Sequence, residues 1–275
     1  MPPPCLWVQR GDAKAKLAVT DAGSPAIRIY DMRSGSNDPL DVLSIHSQPV
    51  TALAFNEPHN TVISADSRGI LEYWSADTYQ QPEHGVVAFS LKLDTDLYAL
   101  AKAKTSAHWL DVAVDGSKFV AVAADHKIRV FRFATGKLSR VYDEGPEAVA
   151  ELQRQGAEAF RLEPIDFGRR VAAEKELQAD PEAPGCNAVF DESGNFLLFP
   201  TLLGIKVRGR SVGAGARPQC MWPACWVGCW QCLPACLPAC LHSTSDGEAA
   251  GKVCLPGHMP GRCSPLVATQ SLLPL

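Results

Sequence analysis

One strand pattern recurs four times along this chain. It appears as Ile27-Arg28-Ile29-Tyr30-Asp31, Ile70-Leu71-Glu72-Tyr73-Trp74, Ile128-Arg129-Val130-Phe131-Arg132 and Ile205-Lys206-Val207. Apolar and polar residues roughly alternate, the period of a half-buried strand. Starts at 27, 70, 128 and 205 give spacings of 43, 58 and 77 residues. The first spacing fits one four-stranded unit of about 40–45 residues, and the others require insertions.

Each of the last three segments has β-rich partners upstream. Before Trp74 come Val50 to Phe55, a turn at Asn56-Glu57-Pro58-His59-Asn60, and Thr61 to Ser64. Before Phe131 come Trp109 to Val114, the turn Asp115-Gly116-Ser117, and Phe119 to Val122. Before Val207 come Cys186 to Phe190, the turn Asp191-Glu192-Ser193-Gly194-Asn195, and Phe196 to Phe199. Tight Asp/Gly turns between such runs are hairpin signals. The expected class is all-β. An antiparallel sandwich also repeats strands at short spacing, but the unit length and the aromatic ending the third strand favour a β-propeller.

Composition divides the chain near Arg210. Residues 211–275 hold five charged residues and eight of the ten cysteines; residues 1–210 hold the rest of both. With two cysteines, Cys5 and Cys186, the first part reads as a reducing-compartment protein. The net charge of −4 supplies no cluster of Lys and Arg for phosphate, so no direct nucleic-acid partner is expected. Met1 to Trp7 has neither the basic nor the apolar part of a signal peptide. The charge-free run 220–241 approaches the length of a membrane span, but Pro223, Pro234 and Pro238 interrupt any helix there, so no membrane is expected either.

Between the second and third hairpins, Glu147 to Gln155 and Gly168 to Gln178 are rich in helix formers. They predict two short helices in an insertion over about 147–178. Arg169, Arg170, Glu174, Lys175 and Glu176 read as a solvated face, with partner docking as the sharper alternative.

The WD-repeat pattern is legible in places. His46-Ser47-Gln48-Pro49-Val50-Thr51 resembles the His-containing start of such a repeat, and Tyr30-Asp31 stands where its Trp-Asp pair belongs. Trp74 and Phe131 fill the same slot. In that family a hydrogen-bond chain runs from the His through a Ser/Thr and a turn Asp to the Trp. Here Asp125 fits the turn position, but Phe131 has no indole donor. The second repeat has His46, Ser64 and Trp74, while Arg68 stands at the expected Asp position and Asp66 lies two residues early. These side chains read as structural locks, so no catalytic, cofactor-binding or metal residues are expected, and no cofactor.

Several longer stretches resemble the peptidyl-prolyl isomerase domain and WD-repeat-containing proteins. They are Lys92 to Tyr98, Phe131 to Leu138, Phe167 to Leu177 and Leu202 to Val207, within a similarity spanning about residues 5–207. The resemblance implies a nuclear, spliceosome-associated protein with an N-terminal propeller and a C-terminal cyclophilin domain. The cyclophilin's active-site stretch, an Arg flanked by Phe and followed by Met-Gln-Gly-Gly, has no counterpart here. The expectation is therefore a partial WD-repeat propeller over 5–207, lacking repeats at both ends. Its expected role is a non-catalytic interaction scaffold for spliceosomal proteins. The alternatives are a fragment of a full-length prolyl isomerase and, from Tyr30-Asp31-Met32-Arg33, a substrate receptor of a cullin-type ubiquitin ligase.

The remainder, 208–275, is expected to be a disordered, low-complexity Cys/Pro-rich tail or translated non-coding sequence. Only Cys229-Trp230-Gln231-Cys232 makes a CxxC, and no second pair follows to complete a zinc site. Leu233 to Leu241 is a direct repeat.

Overall fold

Within each sheet of this chain, strands pair with their sequence neighbours, so hairpin turns rather than crossovers build each sheet. The computed structural model describes residues 4–10, 15–82, 85–155, 161–180 and 185–209; the expectations for 208–275 lie outside these from Arg210 onward. The first sheet is antiparallel, with strands β1 (Cys5–Arg10), β2 (Ala15–Asp21), β3 (Ser24–Asp31) and β4 (Asp41–Leu43) in order. The second has three strands, β5 (Val50–Asn56), β6 (Thr61–Asp66) and β7 (Leu71–Ser75). A short 3-10 turn, Lys92–Asp94, and helix α1 (Ala99–Lys102) lead to the third. Its strands are β8 (Ala107–Val112), β9 (Lys118–Ala123), β10 (Lys127–Arg132) and β11 (Leu138–Asp143). Helices α2 (Pro146–Arg154) and α3 (Pro164–Ala179) precede the fourth sheet, made of β12 (Val189–Phe190), β13 (Phe196–Thr201) and β14 (Gly204–Gly209).

The chain is thus mostly β with few helices. Both longer helices begin on a proline, whose fixed φ and missing N–H suit a first helical position. That is why α3 starts at Pro164, four residues ahead of the helix-former run at Gly168. Val149 of α2 and Phe167 and Val171 of α3 pack with Leu162, Leu202 and Leu203, which ties both helices to the β13–β14 turn.

The four sheets stack face to face in chain order. Val8, Ala18, Ile27, Ile29 and Leu43 of the first meet Val50, Val62 and Trp74 of the second. The opposite face of the second, with Ile63, Leu71 and Tyr73, meets Leu110, Phe119, Ala121 and Phe131 of the third. Val120, Val122, Ile128 and Val130 then meet Leu197 and Phe199 of the fourth. The first strands of successive sheets are neighbours: β1 beside β5, β5 beside β8, β8 beside β12. Strand β6 shows the consequence for sequence. All six of its residues are buried, because alternate side chains enter the two flanking cores, and a strand covered on both faces loses its polar alternation.

Aromatic rings set the geometry of the central core. Tyr73 stacks on Phe133 at 5.0 Å between centroids, and Phe119 on Phe131 at 4.9 Å. Such pairs add about 0.5–1.5 kcal/mol beyond the area they bury. Among the described residues the sheets form no closed barrel or propeller ring, so the all-β expectation holds at the level of class alone.

Candidate functional site

Three polar side chains meet inside the second sheet. His46 enters from the segment before β5, while Ser64 and Asp66 lie two apart on β6 and point to one face. His46 Nε2 is 2.7 Å from Ser64 Oγ, and His46 Nδ1 is 3.5 Å from Asp66 Oδ2. Asp66 also holds the following turn: its Oδ1 accepts from the amides of Arg68 at 3.0 Å and Ile70 at 2.9 Å. Burial pushes the Asp66 carboxyl up, but His46 and those amides outweigh it and hold the pKa below the ordinary aspartate value.

The order Ser-His-Asp matches a hydrolase's nucleophile, base and orienting acid. Access decides against that use. Ser64 is 0% exposed, and the His46 and Asp66 side chains are 0% and 1% exposed, so no carbonyl can reach the hydroxyl. The chain stops short of Trp74, whose buried Nε1 has no hydrogen-bond partner. Sequence spacing had placed Arg68 where the carboxylate belongs; the structure instead brings Asp66 to His46. At the equivalent turn of the third sheet, Asp125 takes a bidentate contact from Arg129, at 3.0 and 2.5 Å, and the Lys127 amide at 3.2 Å. Burial raises its pKa, and Arg129 outweighs that and lowers it.

A second constellation, which the sequence reading missed, pins the fourth sheet to β8. His108 Nε2 meets Cys186 O, Trp109 Nε1 donates to Ala188 O, and Asp111 Oδ2 accepts from the Phe190 amide, each at 2.8 Å. Desolvation pushes the Asp111 carboxyl up to about 6 and the Cys186 thiol up to about 12. Desolvation also lowers His108, so the imidazole favours its neutral form. A thiol held protonated is a poor nucleophile and a poor metal ligand. Nearby, Lys206 and Glu144 form a buried ion pair. Only a register argument linking β8 side chains to the backbone of 186–190 would have revealed this from sequence.

A cleft of about 460 Å³ opens beside β7, the edge of the three-stranded sheet. Tyr73, Val87, Phe89, Leu91 and Ile45 give it apolar walls, and Glu72 and Lys92, which pair with each other, lie along it. Among the described residues no three His, Cys, Asp or Glu side chains gather as metal ligands. Among the same residues no helix is long and apolar enough to cross a membrane.

No family model matches the chain. Curated relatives do. "Peptidyl-prolyl cis-trans isomerase CYP71" of Arabidopsis thaliana is 52% identical over 202 residues, which is 73% of this chain and 32% of that protein. "Peptidyl-prolyl cis-trans isomerase cyp15" of Rhizopus delemar is 40% identical over 210 residues, 75% of this chain and 33% of that protein. "Peptidylprolyl isomerase domain and WD repeat-containing protein 1" of Homo sapiens is 38% identical over 208 residues, 75% of this chain and 32% of that protein. The chain thus spans about a third of the length of the curated relatives it matches.

These names correct three expectations. The non-catalytic scaffold is overturned, because relatives matching about three-quarters of the chain are named for an enzyme activity. The expectation that the chain belongs outside enzymes falls for the same reason. The emphasis on a repeat propeller gives way to similarity with prolyl isomerases, on a fold shown only as mostly β.

Proposed function

We propose that this chain is part of a peptidyl-prolyl cis–trans isomerase, the fragment alternative named above. The single observation that carries this is the 52% identity over 202 residues to a protein named for that activity. The reaction rotates an X–Pro bond across a barrier of about 18–20 kcal/mol and breaks no covalent bond. It needs a surface that holds an extended proline segment, not a nucleophile. The inert burial of Ser64 and the protonated Cys186 are compatible with such chemistry.

The described sheets supply the framework in this reading, and isomerisation is the activity of the whole protein. The finer fold, an arc of a propeller-type array, is supported by the first strands of successive sheets lying side by side. Spliceosomal protein partners and a nuclear location belong to the same proposal and rest on the sequence resemblance. The test is cis/trans exchange in a proline peptide, followed by NMR, with the protein purified through a tag on its own gene. Acceleration above the uncatalysed rate supports the proposal; an unchanged rate refutes it. Nuclear fractionation of the tagged protein, with spliceosomal proteins co-purifying, tests the location and partners.

A further inference from the structure

Positive charge collects at one rim of the interface between the third and fourth sheets, from residues far apart in sequence. Lys118 of β9 stands directly opposite Arg132 of β10. Like charges paired across strands repel, so this pairing costs stability unless something offsets it. Arg140 of β11 opposes Val130, two residues along β10 from Arg132, and so shares the face that Val120 and Val130 turn toward the fourth sheet. From the fourth sheet, Arg208 of β14 opposes Leu197, whose side chain enters the core the two sheets share. Lys118, Arg140 and Arg208 line one pocket, with Tyr142 and Asn195. Among the described residues no Asp or Glu lines it.

The neighbouring contacts show what kind of group belongs there. Lys206 and Arg208 lie two apart on β14 and face the same way. Lys206 is neutralised by Glu144 in the buried ion pair. Arg208 instead meets the Tyr142 ring, 5.7 Å from its guanidinium carbon to the ring centroid, and its Nε is buried with no hydrogen-bond partner. A buried donor without an acceptor is costly. The carboxylates of the adjoining strand and turn are committed elsewhere: Asp143 pairs with Lys127, and Asp191 accepts the amides of its own turn. The pocket has about 30 Å³ of free space, room for about two waters. That suits one tetrahedral oxyanion rather than a sugar or a base.

We propose that Lys118, Arg140 and Arg208 bind a phosphate dianion at this rim. A guanidinium fork matches phosphate oxygens two at a time, and Lys adds a point charge. The anion supplies the acceptor that Arg208 Nε lacks and offsets the repulsion between Lys118 and Arg132. Two sources carry this group: a phosphorylated side chain on a peptide, and free inorganic phosphate. The chain's net charge of −4 disfavours an extended polyanion. The site does not depend on the isomerase reading.

Titration calorimetry of the full chain tests it with inorganic phosphate, a short phosphoserine peptide beside its unphosphorylated form, and single-stranded RNA. Wild type binds phosphate, the phosphopeptide or both, and not the unphosphorylated peptide. Arg208→Met weakens that binding by at least about 10-fold, and Arg208→Lys, which keeps the charge and loses the fork, weakens it less. Lys118→Met also weakens it, whereas Arg28→Gln on the first sheet leaves it unchanged. Circular dichroism unchanged from wild type shows that each variant is folded; should Arg208→Met unfold, Arg208→Lys and Lys118→Met decide. A phosphopeptide that binds more tightly than phosphate assigns the side-chain source, and the reverse or equality assigns the free anion. No binding of either up to about 10 mM overturns the proposal. Binding that the folded pocket variants leave unchanged overturns it too, as does RNA binding more tightly than both, which would assign the charge to a diffuse basic surface.

Discussion

Replacing Asp111 by Asn should cost stability at low pH and cost little or none at high pH. The carboxyl sits half-buried at the junction of β8 and the fourth sheet and accepts the Phe190 amide at 2.8 Å. Burial raises its pKa from 3.8 to about 6, against the opposing pull of the Phe190 and Val112 amides. A folded-state pKa above the unfolded one means that the neutral form stabilises. That contribution is whole below 3.8 and is lost as pH rises through about 6. The full difference corresponds to about 3 kcal/mol at about 1.4 kcal/mol per tenfold change in proton affinity. Solvent reaching the side chain screens this to about 1.5 kcal/mol. Asn cannot ionise, keeps an oxygen for Phe190, and gives up an acceptor for Val112 at about 1 kcal/mol. Urea unfolding at about pH 4.5 and about pH 8 should show the variant less stable at the first and equal or more stable at the second. The two differences should be about 1 kcal/mol apart. His108 titrates in both proteins and cancels. A stability difference that does not vary with pH, or that favours wild type more at high pH, refutes the reasoning.

Trp74→Ala should cost about 3–5 kcal/mol by thermal unfolding, because the indole is fully buried between the first two sheets. Gly69→Ala should cost at least about 2 kcal/mol: at φ +80° its Cβ would lie 2.2 Å from Thr105 O, which is backbone and cannot yield cheaply. Lys206→Met should cost about 3–5 kcal/mol in urea, since it strands Glu144 in the core. Pairing it with Glu144→Leu should recover most of that loss, and failure to recover would show that the charge pair was not the cause.

The strands were legible because hairpin turns and alternation are local. Val50 to Asn56 alternates in burial along its length, and the turn at Asp191 to Asn195 is held by Asp191 accepting the Ser193 and Phe196 amides. The strand edges were less so: β3 begins at Ser24 rather than Ile27, where pairing with Asp21 extends it past the apolar run. The His46 relay was half legible. Spacing alone put its acid at 68, whereas the register of β6 puts Ser64 and Asp66 on one face, so the residue two earlier reaches the imidazole. The contacts of His108, Trp109 and Asp111 were invisible, because their partners are backbone groups 78 or 79 residues away. A backbone acceptor carries no residue-type signal.

The most direct test of the central claim is the exchange rate of a proline peptide in the presence of the tagged protein. NMR magnetisation exchange between the cis and trans forms reads the rate without a coupled protease. The account predicts acceleration that grows in proportion to protein concentration and disappears on heat denaturation. Exchange that stays at the uncatalysed rate, tens to hundreds of seconds at about 25 °C, would contradict it.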